Sequence, residues 1–536
     1  MRLKPRGVAV SETSLLMLLC TGLLVALLVR TAWQADDAFA AWRLVDNFVH
    51  GFGLRYNIDE RVQTFTSMLW TFLNAGVYAF TGNIYYTSIL LSIGITVATV
   101  NLVVWPYRGN PVAIVFAYVA FLLSISFMDF SAAGFENPLS HLVLASFAYL
   151  YFCGDLNSRQ TLRMLFLLAG LAGLTRLDIL AYYVFPLGLA VWISPLPRAE
   201  KLKALLFCVV PLSLWHGFSL FYFGFPFQNA AYAKRFNTVP LSAFLRAGAD
   251  YYLNSVSRDP ITLTVIFSAI FMGLKSADLK LRAFTLGIVF YLAWVLYIGG
   301  DFMSGRFFSV AFVAAVIALL RSGIVSEIRL AALVITAVVL LGCLGDQPTF
   351  TTGKSYGTAR ELSPTSEWGQ RGIADERASW YQHSGLLLSS RFYDMPRPLK
   401  EWDFVQAARN FVAAMGGGPC VGVALPTGYF GYVAPRECHI YDTNGQVDPL
   451  MARLPISPAK DWHQGHLFKP VPAGYDQTLR DGVNHIADPD LAVYYDKLRL
   501  ITRGDLWSGE RLVTIIKMNL GFYDHYLVAY GARQGG

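Results

Sequence analysis

Between residues 13 and 345 the chain passes through one long apolar run after another, and short loops hold most of its charges. A helix crosses a bilayer core of roughly 30 Å with about 20 mostly apolar residues. In hydrocarbon only helices and closed barrels satisfy their own backbone. The pattern therefore predicts a polytopic α-helical membrane protein. Its composition, 55% apolar and 15% charged, agrees, because soluble domains carry about 25% charged residues. Runs at 13–33, 84–104, 111–129, 139–153, 163–175, 179–194, 204–223, 261–274, 283–298, 307–321 and 330–345 predict about eleven transmembrane helices. No small-x-small cleavage site follows Leu15–Val29, so this first run is expected to remain as an anchor. The net charge of +7 sits in short loops, where it orients the spans and gives no reason to expect nucleic acid.

The loops alternate in charge. One set holds Arg2, Lys4, Arg6, Arg108, Arg159, Arg163, Arg198, Lys201, Lys203, Lys275, Lys280, Arg282, Arg321 and Arg329, and is predicted to be cytoplasmic. The other collects Asp36, Asp37, Asp46, Asp59, Glu60, Asp129, Glu136, Asp178, Asp250, Asp259 and Asp301, and is predicted to face the periplasm. The alternation holds if residues 34–83 form one large loop with two helices, near Ala38–His50 and Ser67–Phe80, lying on the membrane surface. From about residue 346 Gly, Pro and charge return, which predicts a periplasmic α/β domain over 346–536. Its expected strands are Pro419–Ala424 and His439–Asp442, and its expected helices Trp402–Met415 and Asp490–Leu500. An extracytoplasmic location would permit a disulfide between Cys420 and Cys438.

Five polar motifs fall on the acidic side. The first is Asp36-Asp37, where the first span leaves the membrane; one carboxylate suffices to cap a helix, which frees the other as a base. With a surface helix starting at Ala38, Asp37 is the expected cap and Asp36 the expected catalytic carboxylate. The others are Asn57–Gln63, Gly134–Pro138, Thr175–Asp178 together with Tyr232–Lys234, and Gly299–Arg306. Arg176, Lys234 and Arg306 have the charge and reach to bind a phosphate. Capping, local ion pairs and snorkelling account for each motif alone. Together they surround a membrane-surface cavity with acids, amides and cations.

These residues resemble a known family. Asp36-Asp37-Ala-Phe, Gly51–Asn57 and Glu60–Thr66 leading to Leu69-Trp70 are similar to the first-loop signature of arabinofuranosyltransferases of the GT-C superfamily. Within it, the nearest resemblance is to the actinobacterial terminal β-(1→2) and pilin types. The similarity continues through Thr175-Arg176, Pro226–Lys234, Gly299–Arg306, Asp442–Pro449 and Gly465–Pro470. Leu177 and Gln228 depart from the residues relatives often carry there, Pro and Asn. The resemblance implies a GT-C fold, a decaprenyl-phosphate arabinofuranose donor, a periplasmic glycan or protein acceptor, and a catalytic carboxylate at Asp36-Asp37.

The expected enzyme thus transfers a pentofuranose from polyprenyl phosphate in a bacterial inner membrane. Arg176, Lys234 and Arg306 would bind the donor phosphate. Arg43, Asn57, Glu60, Glu136, Asn229, Tyr232, Asp301, Asp442, Asp448 and His466 would contact substrate. Such a donor needs no nucleotide-binding loop and no cofactor; the acid spacing is compatible with a divalent cation without demanding one. A mannosyl- or aminoarabinose-type transferase on the same fold is the nearest alternative. A transporter would place ionisable groups inside several spans, and mid-span charges are nearly absent.

Overall fold

A computed structural model describes residues 12–534 except 236–238, 346, 357–371, 389–409, 411–412, 414–419, 425–426, 456–461 and 463. Helices dominate the first 345 residues. In chain order they are α1 (Glu12–Thr31), α2 (Asp36–Val49), α3 (Met68–Thr81), α4 (Ile84–Val104), α5 (Pro111–Leu123), α6 (Ile125–Phe130), α7 (Asn137–Cys153) and α8 (Arg159–Thr175). There follow α9 (Ala181–Ile193), α10 (Arg198–Tyr222), α11 (Asn229–Arg235), α12 (Leu241–Arg258), α13 (Pro260–Lys275), α14 (Leu279–Tyr297), α15 (Phe308–Ser322) and α16 (Ile328–Cys343). Each of the eleven apolar runs lands on one or two of these helices. Among the described residues, four helices are each long and apolar enough to cross a bilayer, or up to five if one bent pair is a single span.

Local chemistry sets the helix ends. Asn110 accepts from the backbone N–H groups of Val112 and Ala113 ahead of Pro111, and Ser158 caps α8. The break between α12 and α13 falls at Asp259-Pro260 and turns the chain by 111°. There the Asp259 carboxylate accepts from the Ser126 N–H and from the Ser126 and Thr262 hydroxyls. The helices α1 and α10 leave most of their apolar surface uncovered, as lipid-facing spans do. By contrast α15 is buried on every face from Phe308 to Leu320, which makes it the centre of the bundle.

The surface-helix expectation for α2 needs correction. Its stripe of Phe39, Trp42 and Val45 is buried, with Phe39 packed on Tyr429 and Tyr432. That stripe meets another part of the protein and not a membrane.

In the C-terminal region, strands β1 (Val421–Val423) and β2 (His439–Tyr441) pair in parallel, joined through helix α18 (Thr427–Val433). This β-helix-β unit is the α/β content among the described residues, and helices carry the remainder. Cys420 and Cys438, beside the two strands, are joined by a disulfide. The helices Tyr475–Asp481, Pro489–Arg503, Gly509–Asn519 and Asp524–Gln534 enclose a separate apolar core of Leu479, Leu491, Leu498, Ile515 and Leu527. Of the helix predicted at Trp402–Met415, the described residues are Asn410 and Ala413, both helical.

Candidate functional site

The two adjacent aspartates part company at the start of α2. Asp36 is the first residue of the helix and Ala35 its cap, so Asp37 does not cap it as the sequence suggested. The Asp36 carboxylate accepts from the N–H groups of Gly428 (3.0 Å) and Tyr429 (2.7 Å) and so closes the N-terminus of α18. Two turns later Arg43 closes the other end. Its guanidinium donates to the carbonyls of Gly431, Ala434, Pro435 and Cys438, and to that of Tyr56. An acid at one end of α18 and a base at the other complement its dipole. The helices approach closely because of Gly428, where a Cβ would stand 1.7 Å from the Asp36 carbonyl oxygen. Burial raises Asp36 to about 7 against the two N–H donors, and Asp37 adds to the rise.

Asp37 accepts no hydrogen bond from any described residue. It keeps some accessible surface and faces a group of charges drawn from distant parts of the chain. Burial pushes its pKa up; Arg306 and Lys234 pull it down, and Asp301 and Glu136 oppose them. The loop Gly299–Arg306 supplies Asp301 and Arg306 directly before α15. Gly300 and Gly305 have φ of +73° and +80°. A Cβ on Gly300 would overlap the Tyr251 ring at 2.5 Å, and one on Gly305 would meet Ser126 Oγ at 2.4 Å. Only glycine fits this tight loop.

The charges differ in how far the protein satisfies them. Arg176 donates to both oxygens of Asp178 (3.0 and 2.8 Å) and to Glu136 (3.1 Å). Its fork is committed to carboxylates, which fits a residue that positions Glu136 better than one that binds phosphate directly. Arg306 stands looser, 3.6 Å from both Glu136 and Asp301, over the Phe135 ring. Its Nε and Asp301 Oδ2 are buried without a hydrogen-bond partner, a deficit that a polar ligand would relieve. Lys234 keeps accessible surface; burial lowers its pKa, and Asp301 and Asp37 oppose that lowering.

Sequence reasoning missed one member. Helix α17 (Glu376–Ser384) carries Glu376, which burial raises to about 8, while the Trp380 Nε1–H donates to it at 2.6 Å and lowers it, and Asp37, Asp36 and Asp301 raise it. Long-range contacts bring it here. The N–H of Ala374 donates to the Phe302 carbonyl and that of Ser304 to the Ala374 carbonyl. Ser384 exchanges hydrogen bonds with the Gln34 backbone. Arg377 and Arg258 meet on Asp129, and Arg258 also reaches Asp375. The run Asp375-Glu376-Arg377 was its one signal in sequence, and nothing local distinguishes such a run from a solvated surface.

The remaining expected residues divide. His466 packs edge-on against Phe302 at 4.4 Å, beside the Asp301 loop. Asn57, Glu60, Asn229, Asp442 and Asp448 are buried in the joint between the first loop and the C-terminal region. Asn57 bonds the Ile440 backbone in both directions. Glu60 faces His439 and Arg503. Asn229 donates to the Gly445 and Asp448 carbonyls. Asp442 accepts from the Gln446 and Val447 N–H groups, and Asp448 from the Tyr475 hydroxyl and the Met451 N–H. Tyr232 lies under the Arg453 guanidinium. Arg43 belongs with these residues, since its donors serve backbone carbonyls. Their polar atoms bond within the joint and hold it together.

Among the described residues no group of three or more His, Cys, Asp or Glu side chains could hold a metal ion. No family model, curated protein or solved structure matches the chain.

Proposed function

We propose that the chain is a membrane glycosyltransferase of GT-C architecture, with about eleven spans in a bacterial inner membrane. It transfers a pentofuranose, D-arabinofuranose in the first instance, from polyprenyl phosphate to a hydroxyl of a glycan or protein on the extracytoplasmic side. The observation that carries this reading is the unbonded Asp37 carboxylate opposite Lys234 and the incompletely satisfied Arg306. A raised carboxylate pKa suits a group that must take a proton near neutral pH. Asp37 removes the acceptor hydroxyl proton as that oxygen bonds to the anomeric carbon. The bond from that carbon to phosphate breaks, and its electron pair leaves on the phosphate, whose charge Lys234 and Arg306 offset.

Two further observations support the reading. The Cys420–Cys438 disulfide fits an oxidising compartment, and the clustered charges gather at helix ends and loops, unlike the mid-span charges of a transporter. The test is transfer by the purified chain in nanodiscs, with polyprenyl-phosphoryl arabinofuranose, mannose and aminoarabinose as rival donors. Pentose transfer lost in Asp37→Asn is the expected result. Turnover of only mannose or aminoarabinose would select the alternative sugar class, and turnover unaffected by Asp37→Asn would remove the assignment of the base.

A further inference from the structure

The helix Gly509–Asn519 buries Arg511, Thr514, Ile515 and Met518 against the C-terminal core. Its opposite face is apolar and uncovered: Val513 is 50% exposed, Ile516 59% and Leu520, just beyond its end, 69%. The spacing of three and four residues puts them in one stripe. Trp507 before the helix and Phe522 after it extend the stripe, at 77% and 61% exposed. A contiguous exposed apolar stripe marks a contact surface.

Its position identifies what covers it. Trp507 packs on Phe221 at 4.9 Å, in the last turn of α10. Arg511 donates to the Tyr222 carbonyl and Asn519 to the Gly224 carbonyl, so both ends of the helix are fastened where α10 finishes. The fit is close: a Cβ on Gly224 would stand 2.0 Å from Ile501. Among the described residues α10 is the longest helix able to cross a bilayer by length and apolarity, and its last three turns expose Leu214, Phe218 and Leu220. The uncovered stripe is therefore continuous with the lipid-facing surface of a span, at the level where that span meets the headgroups. Lys517 is exposed beside Ile516, where its ammonium can reach lipid phosphates.

We infer that the helix Gly509–Asn519 is an interfacial helix that rests its Val513/Ile516/Leu520 stripe on the bilayer beside α10 and so fixes the C-terminal region against the membrane. The inference needs α10 to be a span and is independent of the proposed chemistry.

The experiment uses the full chain in nanodiscs, with the free cysteines Cys20, Cys153, Cys208 and Cys343 replaced by serine. A single cysteine at Ile516, Leu520 or Glu510 carries an environment-sensitive fluorophore. An apolar face set roughly 5–10 Å into the interface predicts that labels at Ile516→Cys and Leu520→Cys shift to the blue. Lipids with a shallow doxyl group should quench them by at least about half, and the label at Glu510→Cys should respond to neither. Water-like emission at both stripe positions would overturn the inference. So would emission shielded from aqueous iodide yet untouched by doxyl lipid, because that result makes the cover a protein surface or a second copy of the chain. The unlabelled protein gives an independent readout: amide exchange over 509–520 should be slower in nanodiscs than in a lipid-free amphipathic polymer, and equal rates would count against membrane contact.

Discussion

At the residue scale, Asp36 and Asp37 are neighbours that differ in their hydrogen bonds, Asp36 accepting two from backbone N–H groups. Asp37 accepts none, so its replacement removes a base and little structure. Asp37→Asn should lower the transfer rate by about 100-fold or more with thermal stability retained, measured on purified protein. The rate should fall as the medium is acidified through the raised Asp37 pKa, since only the ionised form accepts a proton. Asp301 raises that pKa, so Asp301→Asn should move the acid limb of the pH–rate profile to lower pH. An unmoved limb would mean that another group titrates.

Asp36 follows a different rule, because its carboxylate serves the fold. Its folded value of about 7 exceeds the ordinary 3.8. The folded state therefore holds a proton that the unfolded state has already lost between those two values. Stability from this group is full below about 4, falls as pH rises through that window, and stays lower above about 7. Relative to Asp36→Asn, which does not titrate, the wild-type melting temperature should decline between pH 5 and 8. Parallel curves for the two proteins would show that Asp36 titrates as an ordinary surface carboxylate.

At the element scale, the pairing of α2 with α18 ties the membrane part to the C-terminal region. Asp36 and Arg43 lie seven residues apart, two helical turns, and therefore on one face. That spacing matches the seven residues of α18, so one acid and one base reach both its ends. A Cβ on Gly428 would strike the α2 backbone and one on Gly431 the Tyr56 hydroxyl. Gly428→Ala or Gly431→Ala should force the helices apart at a cost of about 1–3 kcal/mol. Faster proteolysis of the C-terminal region would report this. Arg43→Lys, which keeps the charge but loses the planar fork, should weaken the same joint. If the membrane and C-terminal parts melt as before in all three variants, the joint does not govern their docking.

At the scale of the whole molecule, the prediction concerns sidedness. The alternation of basic and acidic loops predicts that residues 346–536 lie outside. A C-terminal alkaline phosphatase fusion should be active and a green fluorescent protein fusion dark; the reverse pattern would refute both the topology and an extracytoplasmic site.

What the sequence by itself determined is the helical membrane character, because hydrocarbon thickness imposes a run length that single stretches either meet or miss. The same reading found the polar loops that carry Asp37, Lys234, Asp301 and Arg306, since charge beside apolar runs is conspicuous without any fold. Only the tertiary structure decided which of these groups have partners within the protein. The difference between Asp36 and Asp37 depends on N–H groups almost 400 positions away, at Gly428 and Tyr429. Glu376 comes beside Asp37 and Asp301 through the contacts of Ala374 with the Phe302–Ser304 backbone. Asn57, Asn229, Asp442 and Asp448 have the composition of a binding site, yet backbone groups and a tyrosine hydroxyl use their polar atoms. Whether a polar side chain has a distant partner is fixed by folding and not by its neighbours in sequence.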